Sequence, residues 1–421
     1  MLEDRFGNPI STSSNDARDS YAKGLDLFLA SDSGVATAFG EALAADETFA
    51  MAHLGLARFH HVTGNKSNAL ASLAQARALG KNVTDQERSL IHTLGLLIEG
   101  KPVLAYEAVR LHLREYPRDA LATQTCTTVF GLIGFSGLPG RDAEQLAFTT
   151  GLVPFYGDDW WFLSQHAFSQ VEVGQVGPAE ENILKSIEGN PRSAQGAHIY
   201  SHILYEQGNT ETGREYLTDW LDGYDREGLL HCHISWHAAL WALEAGDVDD
   251  MWTFIDQSVL PSAAQGPPLV IMCDVAAGLF RAWLAGIDVP KEKWEEASNF
   301  AAAQFPKTGI AFGDVHAAIL YAMAGNNGEL DRIIDSARGP AGDLVQKLAK
   351  AFREVAVNNW KEAESCLVAV MCDHVRIGGS LAQRDLIELA LAKSLREQGK
   401  VDEARRLLAI RRPLLSGTLF G

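Results

Sequence analysis

The sequence predicts an all-α protein, a solenoid of stacked antiparallel helix pairs, and three observations predict it. Amphipathic segments rich in Ala, Leu, Glu and Gln fill most of the chain, as in residues 179–188, 235–245 and 401–408, and few stretches alternate as strands do. Glycines mark a period: Gly174 in VEVGQ and Gly208 in YEQGN lie 34 residues apart, and Gly246 in LEAGD follows 38 later. Prolines then close second helices, Pro117 in REYPRDA and Pro191 in EGNPRSA.

Each element has a physical reason. Gly325 in AMAGN and Gly399 in REQGK share the surroundings of the other three glycines. All five follow an apolar helical pattern and precede a helix with an Ala- and Leu-rich face. A glycine there lets two antiparallel helices approach closely, and a proline stops the second one. Helix, small turn residue, helix and proline at about 34 residues is the tetratricopeptide signature. A chain of 421 residues exceeds one core of ordinary size, which an array does not need. Residues 1–20 read as a polar N-terminal segment, with STSSN suited to a loop or helix N-cap, and residues 21–421 as a single array.

Charge and cysteines narrow the function classes. The balance is −18, from 36 Lys plus Arg against 54 Asp plus Glu, which repels phosphate backbones and anionic membranes. Nucleic acid and membrane surfaces are therefore not the expected partners. No stretch approaches the roughly 18 continuous apolar residues of a membrane-spanning helix. The first fifteen residues lack the apolar core of a secretory signal. Cys126, Cys232, Cys273, Cys366 and Cys372 are odd in number and scattered, so the expected compartment is a reducing cytoplasm. A homo-oligomer is one arrangement open to such an array.

Histidines carry the chemistry. His198 and His202 in HIYSH, and His233 and His237 in HISWH, each have i, i+4 spacing, which stacks both imidazoles on one helix face. His237 and His316 each lie nine residues before a period glycine, and His166 lies eight before Gly174. First helices thus present histidines at comparable heights, and stacking them predicts an array curled around a central polar pocket. Neutral imidazole is both the commonest metal ligand and a general base near neutral pH. His198, His202, His233 and His237 are the expected ligands of a divalent metal such as zinc, and His202, His237 and His316 the expected bases. A polar, hydrogen-bonded groove without metal is the plainer alternative. Trp236, inside the second pair, either packs or stacks on a ligand. There is no HExxH motif, so a standard zincin reading is unsupported.

Six segments in order resemble the tetratricopeptide repeat protein 38 family. They are ISTSSNDA, ADETFAMAHLG with His53, GAHIYSH, HISWHAALWALEAGDVDDM, FGDVHAAI with Asp314 and His316, and GGSLAQRDLIE with Gln383, Arg384 and Asp385, spanning residues 11 to 388. The resemblance implies a helical repeat fold but no settled reaction. It also implies that Asp314 joins the catalytic set and that His53, Gln383, Arg384 and Asp385 line the ligand site, which His166, by its height along the repeat, and Trp236 are expected to share. An Arg–Asp pair between helices serves either as a structural clamp or as an anion clamp in which Asp385 holds a neighbouring histidine. The chain departs from the family at Thr127 and Thr128, where members often carry His-Asp, and at Tyr205, where Glu is common.

Two functions follow. The first is binding of a small organic ligand in the His-rich pocket, with a hydrolytic or lyase-type reaction assisted by metal. The second is a non-catalytic scaffold that binds a peptide or protein in its groove.

Overall fold

The computed structural model describes residues 2–411. Among these, 22 α-helices follow one another as antiparallel pairs. The first five pairs are α1 (Asn15–Ala30) with α2 (Val35–Ala45), α3 (Ala50–Val62) with α4 (Lys66–Ala78), α5 (Asp85–Ile98) with α6 (Pro102–Glu115), α7 (Ala120–Thr127) with α8 (Arg141–Tyr156), and α9 (Trp160–Val171) with α10 (Val176–Gly189). The next three are α11 (Ala194–Gln207) with α12 (Thr210–Leu221), α13 (His231–Glu244) with α14 (Val248–Phe254), and α15 (Pro268–Leu284) with α16 (Lys291–Gln304). The last are α17 (Ala311–Ala324) with α18 (Asn327–Ser336), α19 (Gly342–Ala356) with α20 (Trp360–Val368), and α21 (Leu381–Glu397) with α22 (Val401–Arg411). The chain is an all-α, tetratricopeptide-like solenoid.

The sequence explains the pairing. All five period glycines fall between the two helices of a pair, at φ between 72° and 81°, where a side chain would be strained. Side-chain caps start the inner helices: Asp119, Asp159 and Ser193 each accept an N–H from the first turn that follows. Pro117 and Pro191 lie two residues beyond α6 and α10, as their sequence context predicts.

The polar N-terminal segment is partly regular. A short antiparallel hairpin pairs β1 (Leu2–Glu3) with β2 (Pro9–Ile10), and α1 starts at Asn15 with Ser14 as its N-cap. Helix α1 therefore takes residues 15–20 from that segment.

The solenoid winds until distant turns touch. Leu229 donates its N–H to the Ser31 carbonyl at 3.1 Å, and Gln195 reaches the Ser31 hydroxyl at 3.0 Å. Arg141 Nε reaches the Val375 carbonyl at 2.9 Å, and Leu381 N–H donates to Glu172 at 2.9 Å. Helix α21 thereby packs on α15 and is tied to α11 through Tyr205–Asp385 and to the C-terminal end of α9 through Glu172. Among the described residues, no helix is long and apolar enough to cross a membrane.

Candidate metal centre

Helices α11 and α13 are first helices of neighbouring pairs, so their inner faces stand side by side. Each carries two histidines one turn apart, and the four imidazoles converge. His202 Nε2 lies 2.9 Å from His198 Nε2, and His233 Nε2 lies 3.0 Å from the same atom. One ring nitrogen from each of His198, His202, His233 and His237 falls within 4.8 Å of the other three. All four side chains are buried, at 2–6% exposure.

Behind His233 stands a carboxylate. Its Nδ1 lies 2.9 and 3.0 Å from the two oxygens of Asp274 on α15. An ionised Asp274 accepts a proton-bearing nitrogen, which fixes the proton on Nδ1 and turns the Nε2 lone pair towards His198. His198 Nε2 now faces two nitrogens at hydrogen-bond distance. A neutral imidazole nitrogen either donates one proton or accepts with one lone pair. One of its two contacts is therefore left without a normal hydrogen bond. His198 Nδ1, His237 Nε2 and Trp236 Nε1 are also buried without a hydrogen-bond partner.

A cation among these nitrogens resolves the conflict, and a proton is a poor one. Burial, together with neighbouring imidazoles, holds His198 and His237 well below the ordinary histidine value and lowers His202 to about 3. Near neutral pH these three rings are neutral, which is the form that binds metal. Tetrahedral zinc with Zn–N bonds of about 2.0–2.1 Å sets its ligand nitrogens about 3.4 Å apart. The contacts at 2.9 and 3.0 Å would open by a few tenths of an ångström, and the wider pairs, up to 4.8 Å, would close towards that spacing.

The surroundings fix the rings in place. Trp236 is fully buried, stacks on His233 at 5.2 Å and meets His237 edge-on at 4.7 Å, so it packs the cluster rather than facing solvent. Phe168 covers His202 at 5.1 Å. Arg281, also on α15, donates through Nη2 to the Ala382 carbonyl of α21, and its Nε is buried without a partner. Its charge adds to the depression of His237. Asp274 and Arg281 are the two residues that inspection of the histidines missed. Their signal was present: they are the only charged residues in α15, seven positions apart and hence on one face.

The other expected site residues lie elsewhere. Asp314 and His316 sit on different faces of α17, because residues two apart on a helix point about 200° apart. Asp314 accepts from Gly309 N–H at 3.0 Å and lines a cavity of about 100 Å³ with Lys307 and Arg332, where burial raises its pKa to about 6. His316 donates from Nδ1 to the Phe312 carbonyl at 2.8 Å, and burial lowers its pKa to about 4. His53 reaches the Glu47 carbonyl at 3.3 Å, at the start of its own helix. His166 meets Thr149 at 3.0 Å and stacks on Phe162.

The Gln383-Arg384-Asp385 run is a clamp between helices. Gln383 forms the capping box of α21 with Ser380. Arg384 donates to the Gly379 carbonyl and to Asp142 at 3.2 Å, which occupies the fork expected to hold an anion. Asp385 accepts from Tyr205 Oη at 2.9 Å, and the carboxylate that backs His233 is Asp274. At the two departures from the family pattern, Thr127 donates to Gln165 at 2.8 Å and Tyr205 supplies that bond to Asp385.

No family model matches the chain. Among solved structures, the human IFIT1 dimer with m7Gppp-AAAA is similar over 99% of this chain and 95% of that one, at 14% identity and a TM-score of 0.45. A monomeric IFIT1 mutant with Gppp-AAAA is similar over 96% of each chain, at 12% identity and a TM-score of 0.43. Superpositions this loose say nothing about what this chain binds.

Proposed function

We propose that the chain is a helical-repeat scaffold whose interior is pinned by a divalent transition metal, zinc first among the choices. His198, His202, His233 and His237 are its ligands, and Asp274 orients His233. The observation that carries this reading is the convergence of four buried imidazoles, three of them held neutral by burial, whose nitrogens cannot satisfy one another. Four protein ligands and no anionic one fit zinc, copper, nickel or iron better than magnesium or calcium. Four ligands in a buried site also favour a structural role, since catalytic zinc usually keeps one position open. The ion would tie α11 to α13 and, through Asp274, to α15.

Membership of the tetratricopeptide repeat protein 38 family belongs to the same proposal and rests on the six ordered segments. The acidic balance supports a protein or peptide partner over nucleic acid.

A second reading has one specific observation in its favour. Arg281 Nε and Trp236 Nε1 are buried donors without partners, next to His237 and His233 respectively. A small organic anion would satisfy donors of that kind, and a metal-assisted hydrolytic or lyase-type reaction would use them.

Elemental analysis of the purified full chain tests the metal. The expected result is about one equivalent per chain, falling below about a tenth in His202→Ala and His237→Ala. Absence of stoichiometric metal, after purification without chelator and after reconstitution with zinc, copper, nickel or iron, sinks the reading. Binding of small carboxylates to the loaded protein, lost in Arg281→Gln, would favour the second one.

A further inference from the structure

The N-terminal hairpin lies across the inner face of the first five helix pairs as a ligand would. Its residues touch first helices or their ends in succession. Asp4 and Ile10 line one small cavity with Tyr21 of α1, Met51 of α3, Leu90 of α5 and Leu121 of α7. Ser11 donates to Glu87 of α5 through its N–H at 2.9 Å and its hydroxyl at 3.0 Å. Thr12 donates to Asp46 at 2.6 Å.

The hairpin tip is held most specifically. Arg5 meets Asp159 at 2.7 Å and Asp26 at 2.6 Å, two carboxylates from opposite ends of the groove. Its guanidinium lies 5.2 Å from the Trp160 ring centre. Phe6 is 2% exposed and meets Tyr156 and Trp161 edge-on, at 5.7 and 6.3 Å. An arginine between carboxylates beside an aromatic pocket is how a groove reads a basic, aromatic peptide.

One residue does not suit the groove. The carboxylates facing the hairpin are Asp26, Asp46, Glu87, Asp119 and Asp159, and the hairpin brings another acid, Asp4, into the cavity shared with Glu87 and Asp119. Burial and the Asp119 charge raise the Asp4 pKa to about 6, even though the Asn8 and Phe6 N–H groups donate to it. At neutral pH the hairpin seats a carboxylate where the groove prefers a cation.

We propose that this inner face is a docking groove for an extended basic segment of a partner protein, an arginine followed by an aromatic residue, and that residues 2–12 hold it in cis. The proposal rests on the scaffold half of the reading above and not on the metal. The hairpin's own strands pair over only two residue pairs, and its Asp4 opposes the charge of the groove. A partner segment with Lys in place of Asp4 keeps the Arg–Phe anchor and removes the repulsion.

The test uses a fluorescent peptide of residues 2–12 carrying Asp4→Lys, titrated into the full chain. The wild-type chain is expected to bind it weakly. A chain with Arg5→Ala and Phe6→Ala is expected to bind at least about ten-fold more tightly, and adding Asp26→Asn and Asp159→Asn should remove about that gain. If the Arg5→Ala/Phe6→Ala chain keeps its helical circular dichroism and binds no better than wild type, the groove is a permanent core and the proposal fails. If that chain unfolds, hydrogen exchange on the wild type decides. Amides of residues 5–11 exchanging about a hundred-fold faster than those of α3 support a displaceable hairpin, and equal protection overturns it. Dimers formed by hairpin exchange would make the occupant a second copy and overturn the partner class. Peptide binding indifferent to the Asp26 and Asp159 changes would leave the scaffold reading standing and remove this groove, and metal content in the same samples is judged separately.

Discussion

Two polar clusters are buried in the centre of this array, and they differ in whether their members satisfy one another. Around Arg384, charges are matched. Arg384 meets Asp142 at 3.2 Å and Glu172 at 3.8 Å, Arg141 meets Asp142 at 3.1 Å, and Glu172 also accepts the Leu381 N–H. Around His198, four buried rings crowd together with orphaned nitrogens and a carboxylate behind them. A satisfied buried network fastens helices together. An unsatisfied one is where the proposed ion would act, because an unpaired buried polar group costs about 1–3 kcal/mol.

Breaking the matched cluster should have the largest effect. Arg384→Ala leaves Asp142 and Glu172 buried with one cation fewer, and should destabilise the fold by about 3–5 kcal/mol in urea unfolding. Metal content per folded chain should not change. A fall in metal with stability intact would mean the two clusters are one site.

Removing the proposed ion from the unmatched cluster should come next. If free metal stands about 100-fold above its dissociation constant, stripping it should lower stability by about 2.7 kcal/mol, restored by zinc. The same treatment applied to His202→Ala should change nothing. A smaller step is Asp274→Asn, which keeps a partner for His233 but loses the charge. Loss of such a partner typically weakens metal affinity by about 10–100-fold, read in competition with a chromophoric chelator. Unchanged affinity would reduce Asp274 to a packing residue.

The sequence showed one cluster better than the other, for a physical reason. The i, i+4 pairs in HIYSH and HISWH are local signals, and the repeat period told which helices stand side by side. Asp274 is 41 residues from His233, and its pairing depends on how α15 stacks, which no local pattern encodes. An acid alone in the apolar run VIMCDVAAGLF still advertised a buried partner. The Arg384 clamp closes over a separation of 242 residues, so its choice of Asp142 over a ligand anion was legible only in the wound solenoid. Asp314 and His316 are the opposite case. Their two-residue spacing was in plain view and sets them on different faces; the height of His316 along the repeat suggested the pocket, and Asp314 joined it only through the family resemblance.

The last expected effect separates the clusters by sign. In metal-free protein, the folded values of His198, His202 and His237 lie below the unfolded value near 6.5. Above pH 6.5 both states leave these rings neutral and they add no slope. Below it the unfolded chain takes up protons that the buried rings refuse, so stability falls by about 1.4 kcal/mol per pH unit for each ring until its folded value is reached. Burial and the Asp142 charge raise Glu172 instead, and burial raises Asp142. Those carboxyls bind protons more readily folded than unfolded, so their contribution grows as pH falls through the folded values towards about 4. Urea midpoints of the chelated protein between pH 7 and 5 should therefore drop with acid. His202→Gln should flatten that limb, and Glu172→Gln should steepen it by removing the opposing slope. Equal limbs in all three proteins would mean that neither His202 nor Glu172 binds protons differently in the folded and unfolded chain, which would remove the argument for a neutral ring at His202.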